Sequence, residues 1–501
     1  MSPAFDAVVV GAGPNGLSAA VVLARAGLRV QLLERADTLG GGTRTAELTL
    51  PGFRHDICSA VHPMAMASGF FRRWGLEQRV EMLVPEVSYA HPLDGGRAGV
   101  AWRDLERTAE GLGSDGPTWR RMFSRLVDLE DEISQFTLSP LLQVPRHVDT
   151  VVELGLRILA QGGPWWDAGL RREESRALLA GVMAHAIRPM PSLSAAAAGM
   201  ALAVHGHGSG WAVPRGGSQS IADALAADFL AHGGVVETGV DVTRLGQLDA
   251  RVRLLDVTPR QLVAIAGDEM PAGYRRRLER FRYGGGASKV DFALSGPVPW
   301  EAADLRLSPT VHLGGDRAAI ALAERDVARG RHPDQPFVLA VQPGVVDDTR
   351  APAGQHVLWT YAHVPNGSTR DMTEEITAQI ERFAPGFRDL VLASSSHSAT
   401  ELEAHDPNYV GGDIASGAPT MRQLVARPVV STDPWRTPVP GTYLASSSVP
   451  PGPSVHGMGG AYAARSALRH EFGIERLPSL GPDATTTPGP AAPARTGRSS
   501  R

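Results

Sequence analysis

One stretch limits what this chain can fold into more than any other: VVVGAGPNGLSAAVVLARAGLRVQLLE, Val8 to Glu34. Ala7 to Val10 is a short apolar run of the kind that fills a buried parallel strand. Gly11, Gly13 and Gly16 follow as G-A-G-P-N-G. The first glycine permits a tight turn, the second lets a pyrophosphate approach the backbone, and the third lets helix and strand pack closely. Pro14 suits the first turn of a helix running to Ala26, since its missing N–H costs nothing there. Gly27 stops that helix, Arg29 to Leu33 reads as a second strand, and Glu34 ends it. A carboxylate at that strand end accepts hydrogen bonds from an adenosine ribose and repels a 2′-phosphate. The expected unit is a Rossmann-like α/β dinucleotide site at Gly11, Gly13, Pro14, Asn15, Gly16 and Glu34, with NADP disfavoured.

At 501 residues the chain exceeds one compact core, so two domains are expected. A formal net charge of −4 with 20% charged residues leaves no electrostatic footprint for nucleic acid. The single cysteine, Cys58, rules out an internal disulfide or a redox-active cysteine pair, and points to a reducing, cytoplasmic compartment. No basic-then-apolar leader pattern opens the sequence, and no run of eighteen apolar residues occurs. A peripheral membrane contact stays open. There is no second GxGxxG with its own strand and acid, no GxSxG, no HExxH and no CxxC. Hydrolase and metal readings therefore have no residues to rest on, and no metal site is expected.

After Glu34 comes RADTLGGGTRTAELTLPGFRHDICSAVHP. Gly40, Gly41 and Gly42 form a second flexible loop, which a plain NAD dehydrogenase does not need. This stretch resembles the flavin amine oxidase and phytoene desaturase superfamily, with its glycine pair after the ribose-binding acid. It looks most like the phytoene dehydrogenase-related FAD oxidoreductases, among them the pyridine nucleotide-disulfide oxidoreductase domain-containing protein 2 group. The resemblance implies FAD as cofactor, a glutathione reductase-type FAD domain with a mixed α+β substrate domain, and FAD contacts from Arg35, Gly41, Gly42, Thr43 and Arg44. The superfamily's commonest form places an arginine directly after the glycine pair, whereas here Gly42 and Thr43 precede Arg44.

Two later segments extend the resemblance. In Gly208 to Leu245, a Pro-Arg-Gly-Gly-Ser turn precedes a helix from about Ser220 to Ala231, and Val235 to Val242 alternates as a strand returning to the sheet. By resemblance, the backbone of Val242 meets the adenine. In Gly441 to Leu468, Thr442 to Ala445 reads as a strand and Gly457 to Leu468 as a small-residue helix. Its N-terminus would stabilise negative charge at the N1–C2=O edge of a reduced flavin. Related proteins carry a glycine and a polar residue where Ser446, Ser447 and Ser448 stand, and glycines where Pro453 and Ser454 stand. Ser447, Gly457 and Met458 are the expected contacts here.

The domain expectation is a discontinuous FAD-binding domain of residues 1–75, 205–270 and 430–476, a substrate domain of 76–204 and 271–429, and a disordered tail of 477–501. Gly75 to about Ala203 reads as largely helical, with a clear helical repeat over Val148 to Ala160 and another helix over Arg171 to Ile187. Trp165 and Trp166 are candidates for an apolar tunnel or a membrane interface, with core packing the commoner use of such a pair. Lys289 to Leu294 and Val357 to His363 read as strands roofing the flavin, and Lys289 as a strand-end surface lysine that could otherwise resemble the flavin-adjacent lysine of amine oxidases. His62, His205, His207, His363 and His456 are catalytic candidates by type, and His456 leads because it precedes the helix expected at the flavin. The function expected from the resemblance is desaturation of a hydrophobic, isoprenoid- or carotenoid-like small molecule by hydride transfer to flavin N5. Amine oxidation, redox-neutral double-bond isomerisation and a non-catalytic flavin-binding role are the alternatives.

Overall fold

Five short apolar segments, far apart in the chain, meet in one parallel sheet. They are β1 (Phe5–Val10), β2 (Val30–Glu34), β3 (Val235–Thr238), β4 (Ala250–Leu255) and β5 (Thr442–Leu444). The computed structural model describes residues 3–166 and 168–482. The sheet order is β5-β4-β1-β2-β3, and every pairing is parallel. β1 sits at the centre, which is why Ala7 to Val10 carries no polar side chain: helices cover both faces of such a sheet. The helix α1 (Pro14–Arg25) follows directly, with Gly13 as its N-cap and Pro14 in its first turn. Two helices pack on α1: one over Gln219–Ala231, and one over Met458–Phe472, where the chain returns after β5.

A second sheet has seven strands in the order 391–397, 286–294, 356–364, 338–341, 310–313, 87–93, 97–102. All its neighbours pair antiparallel except 310–313 with 87–93. Against one face lie α2 (Val148–Gly162), a helix over Glu173–Ala184, and α3 (Leu193–His207). The five-stranded sheet and the seven-stranded sheet have separate hydrophobic cores.

Several sequence expectations are corrected. Gly75 to Ala203 is not helical throughout, because residues 87–93 and 97–102 form a β-hairpin. Its turn, Asp94-Gly95-Gly96, uses φ +79° and +70° at the two glycines, the left-handed geometry that closes hairpins. The strand predicted over Val235 to Val242 ends at Thr238, where Gly239 turns the chain at φ +74°. Lys289 is not a surface residue: it lies within the strand 286–294, is buried, and pairs with Asp291. Trp166 is buried, whereas Trp165 is 79% exposed. Of the predicted tail, residues 477–482 pack on the chain. Leu480 is buried, and the Arg25 guanidinium donates to the carbonyls of Ser479 at 3.3 Å and Gly481 at 3.2 Å. Residues 483–501 lie outside the described residues.

Candidate functional site

The loop between β1 and α1 needs its glycines for two different reasons. Gly11 has φ +94°, and a side chain there would meet the Asp256 carbonyl oxygen at 3.0 Å. A Cβ on Gly16 would sit 1.9 Å from the Gly11 carbonyl oxygen. These two positions serve the turn itself. Gly13 has ordinary extended backbone, φ −69° and ψ 175°, and its Cβ would meet only Asp256 Oδ2 at 3.0 Å. Its missing side chain keeps space clear at the N-terminus of α1, where backbone N–H groups attract an anion. Glu34 ends β2 beside this loop. Its Oε2 accepts the Ala12 N–H at 2.7 Å and its Oε1 accepts the Ala36 N–H at 2.8 Å.

The second glycine cluster folds back on the first. Gly40 and Gly41 take φ +121° and +51°, and a Cβ on Gly41 would lie 2.9 Å from the Gly13 Cα. A Cβ on Gly42 would lie 2.1 Å from the Tyr409 hydroxyl. Arg44 is buried and donates from Nε to the Gly41 carbonyl at 2.9 Å. From the far end of the sequence, Ser447 Oγ accepts from Asn15 Nδ2 at 3.4 Å. The loop around Ser447 is fixed by Arg427, a buried cation that donates to the carbonyls of Ser447 at 2.8 Å and Ala415 at 2.7 Å. Burial lowers the Arg427 pKa to about 10.

These loops open into one cavity of about 860 Å³. One half is walled by Gly11 to Asn15, Glu34, Arg35, Gly41, Gly42, Arg44, Val240 to Val242, Asp256, Asp406 and Ser447. The other half lies between the helices and the seven-stranded sheet. There Leu154 and Ile158 of α2 and Ala197, Ala201 and Leu202 of α3 face Leu339, Val341, Trp359 and Tyr361. The rings of Trp359 and Tyr361 are perpendicular, with centroids 5.2 Å apart. Among the described residues, the four carboxylates in the wall, Glu34, Asp241, Asp256 and Asp406, belong to the first half.

Residues 9–73 match the NAD(P)-binding Rossmann-like domain family. Over 94% of both chains, the sequence is 25% identical to pyridine nucleotide-disulfide oxidoreductase domain-containing protein 2 of Rattus norvegicus. It is 26% identical to phytoene dehydrogenase of Streptomyces griseus, over 82% of this chain and 81% of that one. Among solved structures, cyclohexylamine oxidase from Brevibacterium oxydans shares the fold with a TM-score of 0.55 at 17% identity, covering 93% of this chain and 98% of that one. The chain fits the flavin amine oxidase and phytoene desaturase superfamily.

Its relatives mark it as an oxidoreductase of the flavin-dependent type. Its cavity suits that group. Two glycine loops in contact leave room over the N-terminus of α1, and an apolar chamber adjoins them. The sequence picked several residues that stand elsewhere. His456 is corrected as a catalytic candidate. It is fully buried, its Nδ1 accepts the Met458 N–H at 3.0 Å, and its Nε2 is bonded to the Gly452 carbonyl at 3.0 Å. Both ring nitrogens are thus spent on backbone, and burial lowers the pKa to about 4, so the ring is neutral. Gly457 and Met458 also stand outside the cavity wall. A Cβ on Gly457 would strike Phe70 at 2.8 Å, and the Met458 Sδ takes the Phe70 N–H at 3.3 Å. Thr43 is buried and bonds back to the Gly40 carbonyl at 2.7 Å, so it shapes the loop from behind.

The other histidines divide sharply. His62 lies in the cavity wall, bonded through Nε2 to Ser218 Oγ at 2.8 Å. His205 pairs with Glu130, His207 bonds the Trp102 carbonyl, and His363 pairs with Glu324, all away from the wall. Sequence reasoning missed Asp256, Asp406 and Tyr409. Asp256 had a readable signal: it directly follows the strand RVRLL, as Glu34 follows VQLL. His456→Ala is expected to leave flavin content unchanged and to cost about 1–3 kcal/mol in urea unfolding, because the Gly452 carbonyl and Met458 N–H lose their buried partner.

Proposed function

We propose that this chain is an FAD-dependent oxidoreductase that desaturates a hydrophobic, isoprenoid- or carotenoid-like small molecule. One observation carries the reading. The dinucleotide loops open directly into a chamber of mostly aliphatic and aromatic walls that, among the described residues, holds no carboxylate. An ammonium substrate would want a carboxylate or facing aromatic rings there, and Trp359 and Tyr361 stand edge to face. FAD, when bound, supplies a hydride acceptor at N5. In this reading the chain's residues do the rest. Gly11, Gly13 and the α1 N-terminus take the pyrophosphate, Glu34 takes the ribose hydroxyls, and Val240 to Val242 border the adenine. Gly41, Gly42, Arg44 and Ser447 frame the path to the ring. Leu154, Ile158, Leu339 and Val341 exclude water and orient the hydrocarbon. The FAD-binding part then comprises the stretches 1–75, 205–270 and 430–476, which hold the five parallel strands.

An anaerobic mix of the flavin-loaded protein with polyprenoid and carotenoid lipids tests this. Bleaching of the flavin with formation of a desaturated product supports it. Product without bleaching indicates isomerisation, and neither indicates a binding role. Glu34→Ala is expected to weaken FAD binding by about 1.5–3 kcal/mol, read as a 10- to 150-fold rise in Kd, through loss of charge-assisted hydrogen bonds. An unchanged Kd would place the ribose elsewhere.

The outer side of α2 supports a peripheral lipid contact. Val148, Val152, Leu156 and Leu159 form a stripe at helical spacing, each more than half exposed, and Trp165 stands exposed just beyond the helix. Leu159 also lines the cavity, so the stripe reaches the chamber wall at that residue. Among the described residues, no helix is long and apolar enough to cross a membrane. Flotation with phospholipid vesicles is expected to carry the protein upward, and Val152→Glu with Leu156→Glu to leave it at the bottom. Equal flotation of both would dismiss this face.

A further inference from the structure

Asp256 occupies an unusual place for a carboxylate. It immediately follows β4, beneath the glycine loop, in the wall of the dinucleotide half of the cavity. Its Oδ2 accepts the Gly16 N–H at 2.9 Å, so it holds one of the N-terminal amides of α1. The same oxygen is 3.0 Å from where a Gly13 Cβ would stand, which puts it beside the space the loop keeps clear. Its backbone is pinned as well. Its N–H donates to the Val10 carbonyl at 2.8 Å and its carbonyl accepts from Asn408 Nδ2 at 3.0 Å. The main chain is therefore fixed under the loop, and the Gly16 N–H holds the carboxyl itself toward it. Among the described residues, nothing hydrogen-bonds its Oδ1.

The charged groups acting on it are both acidic: Asp406, from the loop after the helix 399–405, and Glu34, at the end of β2. Arg44 and Arg35 act on Asp406, itself a buried acid with a raised pKa. The polar wall residues from α1 and from the C-terminal loop, Asn15 and Ser447, are neutral. Burial first, then these two carboxylates, push the Asp256 pKa up to about 8, against the pull of the Gly16 N–H.

We propose that Asp256 serves the dinucleotide as a neutral carboxylic acid, its Oδ2 holding the Gly16 N–H and its Oδ1–H donated to a phosphate oxygen, so that ionisation of Asp256 and binding of a pyrophosphate oppose each other. The inference rests on the FAD reading for its ligand, though any pyrophosphate-bearing nucleotide would feel the same acid. Flavin loading is then linked to proton uptake. Below the pKa of the free protein the acid is already neutral and affinity is flat. Above it, each binding event must take up one proton, and Kd rises about tenfold per pH unit. Asp256→Asn copies the neutral acid, with an oxygen for Gly16 and an N–H₂ for the phosphate, and carries no proton to lose.

The test is titration of flavin-stripped protein with FAD, and separately with ADP, from about pH 6 to 9.5. Calorimetry in two buffers of different ionisation enthalpy counts protons. The wild-type protein should show a flat Kd that breaks upward near pH 8, with close to one proton taken up at about pH 9. Asp256→Asn should show neither, and should bind about tenfold tighter than wild type at that pH. A wild-type Kd for FAD that stays flat across the range overturns the inference and leaves the FAD reading standing. A break retained in Asp256→Asn also overturns it. ADP binding with the break, but no FAD binding, keeps the inference and removes the FAD reading.

Discussion

Gly13→Val should yield a folded chain that carries no flavin. The backbone at Gly13 lies in a region open to every residue, and its Cβ would touch only one side-chain oxygen. Folding therefore has little to lose. The valine methyls, however, project into the space that the loop from Gly11 to Asn15 encloses with Gly41 and Asp256. Affinity for FAD should fall by more than about 100-fold, or about 2.7 kcal/mol. The comparison is the flavin-to-protein absorbance ratio after saturation with FAD, beside the thermal melt of the stripped protein. A variant with full flavin occupancy would mean that the pyrophosphate does not pass over Gly13. Gly16→Val makes the contrast, since its Cβ clashes with the Gly11 backbone itself and should cost the fold.

The second large effect lies on the other side of α1. Gly460, in the helix over Met458–Phe472, faces the first turn of α1 so closely that a Cβ would sit 1.8 Å from the Asn15 carbonyl oxygen and 2.5 Å from Ser18 Oγ. Backbone cannot yield as a side chain can. Gly460→Ala should therefore force the two helices apart and destabilise the protein by about 3 kcal/mol or more. Urea unfolding of the stripped protein measures this directly. Gly273→Ala, on an open helical site with nothing within 4 Å, is the control and should be neutral or slightly stabilising. Equal midpoints for the two variants would show that α1 and the C-terminal helix are not held by this contact.

That contact also shows where the sequence misleads. The run Gly457-Met458-Gly459-Gly460 announces that something comes close, but it does not say what. The resemblance points to a flavin, and the neighbours are Phe70, Ser18 and Asn15. The stretch Val8 to Glu34 was legible because its chemistry is local: each residue's task is set by neighbours within one strand–turn–helix–strand unit. For Asp256 only its place at a strand end was legible. Its significance comes from β4 ending beneath a loop some 240 positions earlier, a proximity that no spacing rule encodes. Lys289 and His456 fail for the same reason. A residue type suggests a role, whereas burial and partners decide it, and those come from strands and loops far away in the sequence. The hairpin of residues 87–102 is different, since its Asp-Gly-Gly turn was in plain view and was outweighed by the helical segments around it.

The placing of β5 and the C-terminal helix has a cost during synthesis. Asn15 and Gly460 are 445 residues apart. At about 5–20 residues per second, α1 waits about 20–90 s on the ribosome before its partner exists. Meanwhile β1 can pair early with β2, but its other edge needs β4, some 240 residues later. The nascent chain thus exposes an apolar strand edge through about half of translation and a bare helix face through most of it, the kind of surface that holdase chaperones cover. The cavity wall is complete only once the segment around Ser447 docks, so cells making this protein faster than they can shelter it should accumulate empty, aggregated chain even when flavin is plentiful.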